Sequence, residues 1–274
     1  MLNIAFRPYA GDDGEEKIES DHVERALLAA LPGQISIVED FPADATHAFG
    51  RPPKHWARLA TMSYPNPSNL HIDYWAWEGF LSNARRSIQV LDLDGAKKRV
   101  AEIHAAGRDA FVKATMPKFY ASIVPRGTTL SRHLDALVYS FIDRGPCLIV
   151  QERVEMKHEY RLFVVDGEPV TGAGTVFSHT PDDNLAPFNP LVSLSPSDDD
   201  CTSDEALVGR YLDFARQVIP LMPIDSFSLD VAIIDGEIGI VELNPLMLGQ
   251  IGLFACDPSL LTAAVLRSCG LLAA

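Results

Sequence analysis

One stretch, DVAIIDGEIGIVELNP at residues 230–245, limits what this chain can fold into more than any other. Two arms rich in Val and Ile flank Asp235-Gly236, the strongest short-range signal for a β-hairpin. Side chains alternate between the faces of a strand, so Glu242 and Asn244 share a face whatever the turn. Asp230 joins them only if the loop holds an odd number of residues, because a one-residue slip turns every side chain over. A three-residue loop of Ile234, Asp235 and Gly236, with Gly236 in the left-handed conformation, meets that condition. A two-residue Asp-Gly turn would send Asp230 to the other side. Grouped on one face, two carboxylates and an amide oxygen are hard donors of the kind Mg²⁺ takes beside nucleotide phosphates. An ordinary strand running into an Asn-Pro turn would carry the same residues.

Composition narrows the classes. At 274 residues and 47% hydrophobic, the chain can bury a proper core in one large domain or in two to three small ones. Its formal net charge of -14 opposes nonspecific binding to a nucleic-acid backbone, which rests on neutralising phosphates, so a nucleic-acid partner is not expected. Cys147, Cys201, Cys256 and Cys269 show neither Cys-x-x-Cys spacing nor a nearby His at zinc-ligand separation, as reduced thiols would. There is no charged-then-apolar leader and no apolar run of the roughly 18 residues a membrane span needs. The expectation is a soluble, cytoplasmic protein with no membrane partner.

In chain order, residues 2–6 read as a buried strand, 22–31 as a helix stopped by Pro32-Gly33, and 35–38 as a second strand, a small βαβ-like opening. The aromatics Tyr74, Trp75, Trp77 and Phe80 suit a hydrophobic core or a pocket lining. Asp94 is expected to cap a helix bearing Ala96, Val100 and Ile103, which Gly107 ends. The strand after it places Lys113 among apolar residues, where a lysine needs an anionic partner or a route to water. A second lysine, Lys118, follows. From Thr129 a helix is expected to Gly145. Residues 148–154 form an apolar strand that turns polar at Gln151-Glu152-Arg153. Glu159-Tyr160-Arg161 then opens a strand into an Asp166-Gly167 hairpin. A Pro-, Asp- and Ser-rich stretch over 178–205 reads as a long loop or lid. Thr202 and Glu205 form a capping box for the next helix, and Asp257-Pro258 begins the last one.

Taken in order, a strand lysine, a Gln-Glu-Arg-Val strand end, a glutamate seven residues after the first, then an Asp and a Glu-x-Asn on a late hairpin resemble the ATP-grasp superfamily. The resemblance spans residues 111–261. It implies an α+β ATP-grasp fold in which two α+β subdomains clasp a nucleotide, preceded by a short α/β N-terminal region over 1–85. The small subdomain would occupy 86–150 and the C-terminal subdomain 151–274. It further implies that Lys113, with Lys118, contacts phosphates, and that Gln151, Glu152, Arg153 and Val154 form the adenine hinge, read by backbone groups of Arg153 and Val154. Glu159 would hold the ribose. Asp230, Glu242 and Asn244 would bind Mg²⁺, and Arg161 would face the γ-phosphate and the transferred oxygen.

The implied activity is an ATP- and Mg²⁺-dependent carboxylate-amine ligase that releases ADP and works through an acyl-phosphate on an amino acid, peptide or protein end. Phosphoryl transfer depends on positioning and charge stabilisation, which cations and a metal supply. No glycine-rich loop follows Lys113, and Ser228 stands where some relatives carry Arg. The run Glu242-Leu243-Asn244-Pro245, followed by Leu253, Phe254 and Leu260, also resembles the cell-cycle-protein branch of the superfamily, which implies an ATP-binding assembly factor for a protein partner.

Overall fold

The computed structural model describes residues 3–11, 15–42, 44–50, 73–115, 120–134, 147–174, 205–246, 248, 252–253, 256 and 258–273. The chain divides into two compact units, one made of residues 1–72, 157–233 and 240–274, the other of 73–156 and 234–239. The expectations for Lys118, the helix beyond Leu134, the loop over 178–205 and the Thr202 capping box lie outside the described residues.

The first unit opens with strand β1 (Ile4–Arg7), helix α1 (Glu15–Ala30), and strands β2 (Ile35–Ile37) and β3 (His47–Gly50). β1 is central and parallel to both neighbours, Ile4 facing Ile35 on one side and His47 on the other. All four β1 residues are buried, so the expected βαβ opening forms around the most apolar of its strands. Left-handed Gly33 (φ 72) carries the chain out of α1.

Strands β8 (Met156–Val165), β9 (Glu168–Gly174), β10 (Phe227–Ile234) and β11 (Glu237–Asn244) make a sheet in the order β11-β10-β8-β9. Asp166 and Gly167 are both left-handed (φ 52 and 80), which closes the β8–β9 hairpin in a two-residue turn whose twist suits the strands. Helix α4 (Glu205–Val218) packs on one face, where Tyr211 stacks 5.8 Å from Tyr160. The other face presents Phe163, Val165 and Ala173 to Val23 and Leu27 of α1 and to Leu261, Val265 and Leu266 of helix α5 (Pro258–Ser268). The N-terminal helix and the C-terminal sheet thus share one core.

In the second unit, strands β4 (Ile88–Leu91), β5 (Ala110–Ala114), β6 (Ala121–Val124) and β7 (Leu148–Glu152) form an antiparallel sheet in the order β4-β7-β5-β6. The short helix α2 (Glu78–Asn83) precedes β4. Helix α3 (Leu93–Ala105) buries Ala96, Val100 and Ile103 against Ala110, Val112, Leu148 and Val150, the inward half of the alternation on β5 and β7. The cap differs from the expected one. β4 ends at Leu91, so the chain turns at Asp92, whose carboxylate accepts the Gly95 N–H at 2.7 Å, and Asp94 falls inside the first turn. Such a cap contributes about 1 kcal/mol.

The hairpin turn also differs. Asp235 (φ 48) and Gly236 (φ 93) are both left-handed between β10 and β11, a two-residue turn where three residues were expected.

Candidate functional site

Despite the even loop, the three hairpin oxygen donors meet. The Asn244 amide Nδ2 donates to Glu242 Oε1 at 3.0 Å and to Asp230 Oδ2 at 3.5 Å. Strand parity allows this only if one strand carries an extra residue between the turn and Glu242, a β-bulge that restores the register the turn removes. Sequence reasoning reached the right face by the wrong device. Ser228 shares that face by its spacing, is fully buried, and its hydroxyl has no hydrogen-bond partner among the described residues.

Arg161 on β8 closes the group. Its Nε and Nη2 donate to Asp230 Oδ1 and Oδ2, both at 2.6 Å, a bidentate fork on a carboxylate that is 0% exposed. Burial alone would lower the guanidinium pKa, but Asp230 first, then Glu242 and Glu159, raise it above its ordinary value. A permanent cation therefore sits among three carboxylates. Glu159 follows His158, a left-handed residue (φ 54) whose carbonyl accepts the Tyr211 hydroxyl at 2.6 Å. That bond across to α4 stabilises a backbone conformation few non-glycine residues adopt.

As a metal site the donor chemistry fits. No group of three or more His, Cys, Asp or Glu side chains able to hold a metal occurs among the described residues. Two carboxylates and an amide instead offer the small set of hard oxygens that suits an ion completing its shell with water and phosphate.

In the second unit, alternation turns Lys113 to the face of β5 opposite α3. Its Nζ donates to the Tyr74 hydroxyl at 2.6 Å and lies 5.3 Å from the centroid of that ring. Tyr74 is buried against Phe80, ring centroids 4.7 Å apart, so the aromatic cluster is core with one polar tip turned to the lysine. Gln151 lies on the same sheet face as Lys113 through pairing with Phe111, and its Oε1 accepts the Arg86 Nε–H at 3.0 Å.

Glu152 and Arg153 point elsewhere. Glu152 is ion-paired with Arg108, and the Arg153 N–H donates to the Asp109 carbonyl at 2.8 Å while its guanidinium lies 3.6 Å from the Asp109 carboxylate. The Arg126 N–H, and then the charges of Arg126 and Arg153, hold the Asp109 carboxyl below its usual range. Beyond it, Glu155 and Asp235 exchange hydrogen bonds of 3.2 and 3.3 Å, and Arg85 donates to the Ile238 carbonyl at 3.2 Å. A side chain at Gly239 would meet the Arg85 Cγ at 2.7 Å, so glycine there permits the approach.

The parts played by Tyr74, Arg86, His158 and Glu19 were missed in the sequence. Glu19 alone left a signal, a charge four and eight residues before Val23 and Leu27 on the apolar stripe of α1.

Similarity to known proteins agrees with this architecture. Over nearly its full length the chain superposes on a RimK domain ATP-grasp protein from Sphaerobacter thermophilus, with TM-score 0.56, 12% identity and coverage of 96% of this chain and 99% of that one. The D-alanine–D-alanine ligase from Bacillus anthracis, solved with ATP, gives TM-score 0.57, 14% identity and coverage of 98% and 92%. The ATP-grasp ligase PsnB, solved with a minimal precursor, gives 0.56, 12%, 97% and 99%. At such identities the likeness is one of fold, and no curated protein matches the sequence itself. Residues 84–262 match the sequence profile of an ATP-grasp domain, the second family of its clade, so the chain belongs to the ATP-grasp superfamily and to that family within it.

Proposed function

We propose that the protein is an ATP- and Mg²⁺-dependent ligase that joins a carboxylate to an amine through an acyl-phosphate, with an amino acid, peptide or protein end as substrate. The observation that carries this reading is the grouping of Asp230, Glu242 and Asn244 around the Arg161 fork. Membership of the ATP-grasp superfamily supports an ATP-dependent ligase in general. Neighbours of the same fold add weight: one is a D-alanine–D-alanine ligase solved with ATP, and PsnB has been solved with Mg and ADP.

In this reading Asp230, Glu242 and Asn244 hold Mg²⁺, which supplies charge neutralisation at the phosphates when bound. Arg161 suits the γ-phosphate because its planar fork stays charged and binds oxygens two at a time. Lys113, with Lys118, gives point charges to the α- and β-phosphates, the Tyr74 hydroxyl keeping the Lys113 ammonium on the open sheet face. Gln151, Glu152, Arg153 and Val154 form the adenine hinge. The Arg153 N–H is committed to Asp109, which leaves base-edge reading to the Arg153 carbonyl and the Val154 N–H. Glu159 holds the ribose. In the reaction, a substrate carboxylate oxygen attacks the γ-phosphorus, ADP leaves, and the amine displaces phosphate from the acyl carbon.

The test is thermal unfolding with Mg²⁺ and a nonhydrolysable ATP analogue, for the wild type and Glu242→Ala. At a hundred times its dissociation constant a ligand adds about 2.7 kcal/mol. The expected result is a metal-dependent rise in Tm that Glu242→Ala loses. A folded wild type without that rise removes the basis of the reading. Amine-dependent release of AMP and pyrophosphate, in place of ADP and phosphate, would exclude the acyl-phosphate route.

A further inference from the structure

Helix α1 buries a carboxylate where its packing stripe calls for an apolar residue. Glu19 is 5% exposed, in line with Val23 and Leu27 at 0%. A charge so placed is tolerated only if its oxygens are hydrogen-bonded. Glu19 Oε2 accepts the Gly252 N–H at 2.9 Å and the Leu253 N–H at 3.2 Å, partners more than two hundred residues along the chain. Gly252 is left-handed (φ 71) and presents two successive N–H groups to one carboxylate, as an anion-binding nest does.

The same turn reaches the catalytic group. The Gly252 carbonyl accepts from Arg161 Nη1 at 3.4 Å, and Arg161 is the residue that forks onto Asp230. Arg161 is thus divided between a strong acceptor, Asp230, and a weaker one whose place depends on Glu19.

We propose that Glu19 is a positioning residue for the metal site: it fixes the Gly252–Leu253 turn, which shares Arg161 with Asp230 and so sets how readily Asp230 accepts a divalent cation. With the turn loosened, Arg161 keeps only its stronger partner, and an incoming cation must compete against the whole bidentate pair. The inference rests on the ATP and Mg²⁺ reading above, and assigns a role in it to the N-terminal helix.

The experiment is calorimetric binding of β,γ-imido-ATP to the full chain with and without MgCl₂, reading how many times tighter the analogue binds with the metal than without it. Glu19→Ala should lower that ratio about tenfold while leaving the metal-free Kd within about twofold of wild type. Glu19→Gln, whose carbonyl oxygen can accept the same two N–H groups, should stay within about threefold of the wild-type ratio. A merely structural role would lower Tm and leave the ratio untouched. A folded Glu19→Ala with the wild-type ratio overturns the proposal alone, as does a loss in Glu19→Gln equal to that in Glu19→Ala. A wild type whose affinity ignores Mg²⁺ overturns the functional reading and this inference with it. If Glu19→Ala does not fold, Glu19→Asp, one methylene short of the turn, is read in the same way, and a wild-type ratio there overturns the proposal.

Discussion

The two sets of candidate residues are held in opposite ways. On the β8–β11 sheet, Asp230 is fully buried, forked by Arg161 and touched by Asn244, which also bonds Glu242. On the β4–β7 sheet, Lys113 is half-buried and rests on a neutral tyrosine hydroxyl, and the neutral Gln151 amide accepts from Arg86. Charges in the first set are desolvated and compensate one another, so each depends on its partner's presence. In the second, the cations lean on neutral groups. The difference teaches that a buried set of opposite charges is fixed before any ligand arrives, whereas a half-exposed lysine can be redirected by an anion at little cost.

The largest effect expected from this contrast comes from removing one buried partner. Arg161→Met leaves Asp230 without its fork and should cost about 3–5 kcal/mol in denaturant unfolding. Lys113→Met, on the half-exposed face, should cost no more than about 1 kcal/mol. Equal losses in the two variants would erase the contrast.

A smaller effect sharpens it from the other side. Tyr74→Phe keeps the ring packed on Phe80 and removes only the hydroxyl that accepts from Lys113. The expected loss is about 1 kcal/mol, together with a changed affinity for a nonhydrolysable ATP analogue, both measurable on one preparation. A stability loss with unchanged analogue affinity would detach the tyrosine from the lysine's proposed role.

The smallest effect is one of pH. Asp109 beside the hinge has its carboxyl held below the usual value of 3.8, so it favours the folded state above that value. That contribution disappears as pH falls through the lowered native pKa. Arg161 is shifted the other way, upward from a guanidinium value that is already high, so its pair does not lose the arginine charge across the working range. Asp109→Asn should therefore flatten the acid end of the stability profile below about pH 4 and change little at pH 7. An unchanged acid limb in the variant would take Asp109 out of the account.

Much of the architecture was legible because it is written in local alternation and turn chemistry. Residues 110–114 alternate buried and half-buried as the sequence suggests, and Asp166-Gly167 closes its hairpin in the expected place. The errors were also local, and each has a physical reason. Asp94 looks like the cap because an Asp stands close to the first helical turn, but the end of β4 at Leu91 fixes the turn at Asp92. The odd loop follows from parity, a sound constraint that a bulge satisfies equally well, and alternation cannot announce an inserted residue in advance.

What the sequence by itself determined is therefore the set of strands, their faces and the chemical types at their ends: a strand lysine, an acid-rich strand end, and an Asp with Glu-x-Asn on a hairpin. These follow from period-two alternation and from glycine's freedom at a turn, which act over a few residues. Only the tertiary structure decided that Arg161 forks onto Asp230, that Tyr74 receives Lys113, and that Glu19 holds the Gly252–Leu253 turn. Those pairings join residues 39 to 234 positions apart, and no local preference favours one distant partner over another. They are selected when packing removes water from the charges and leaves each with whichever opposite charge or hydrogen-bonding group the fold brings within reach.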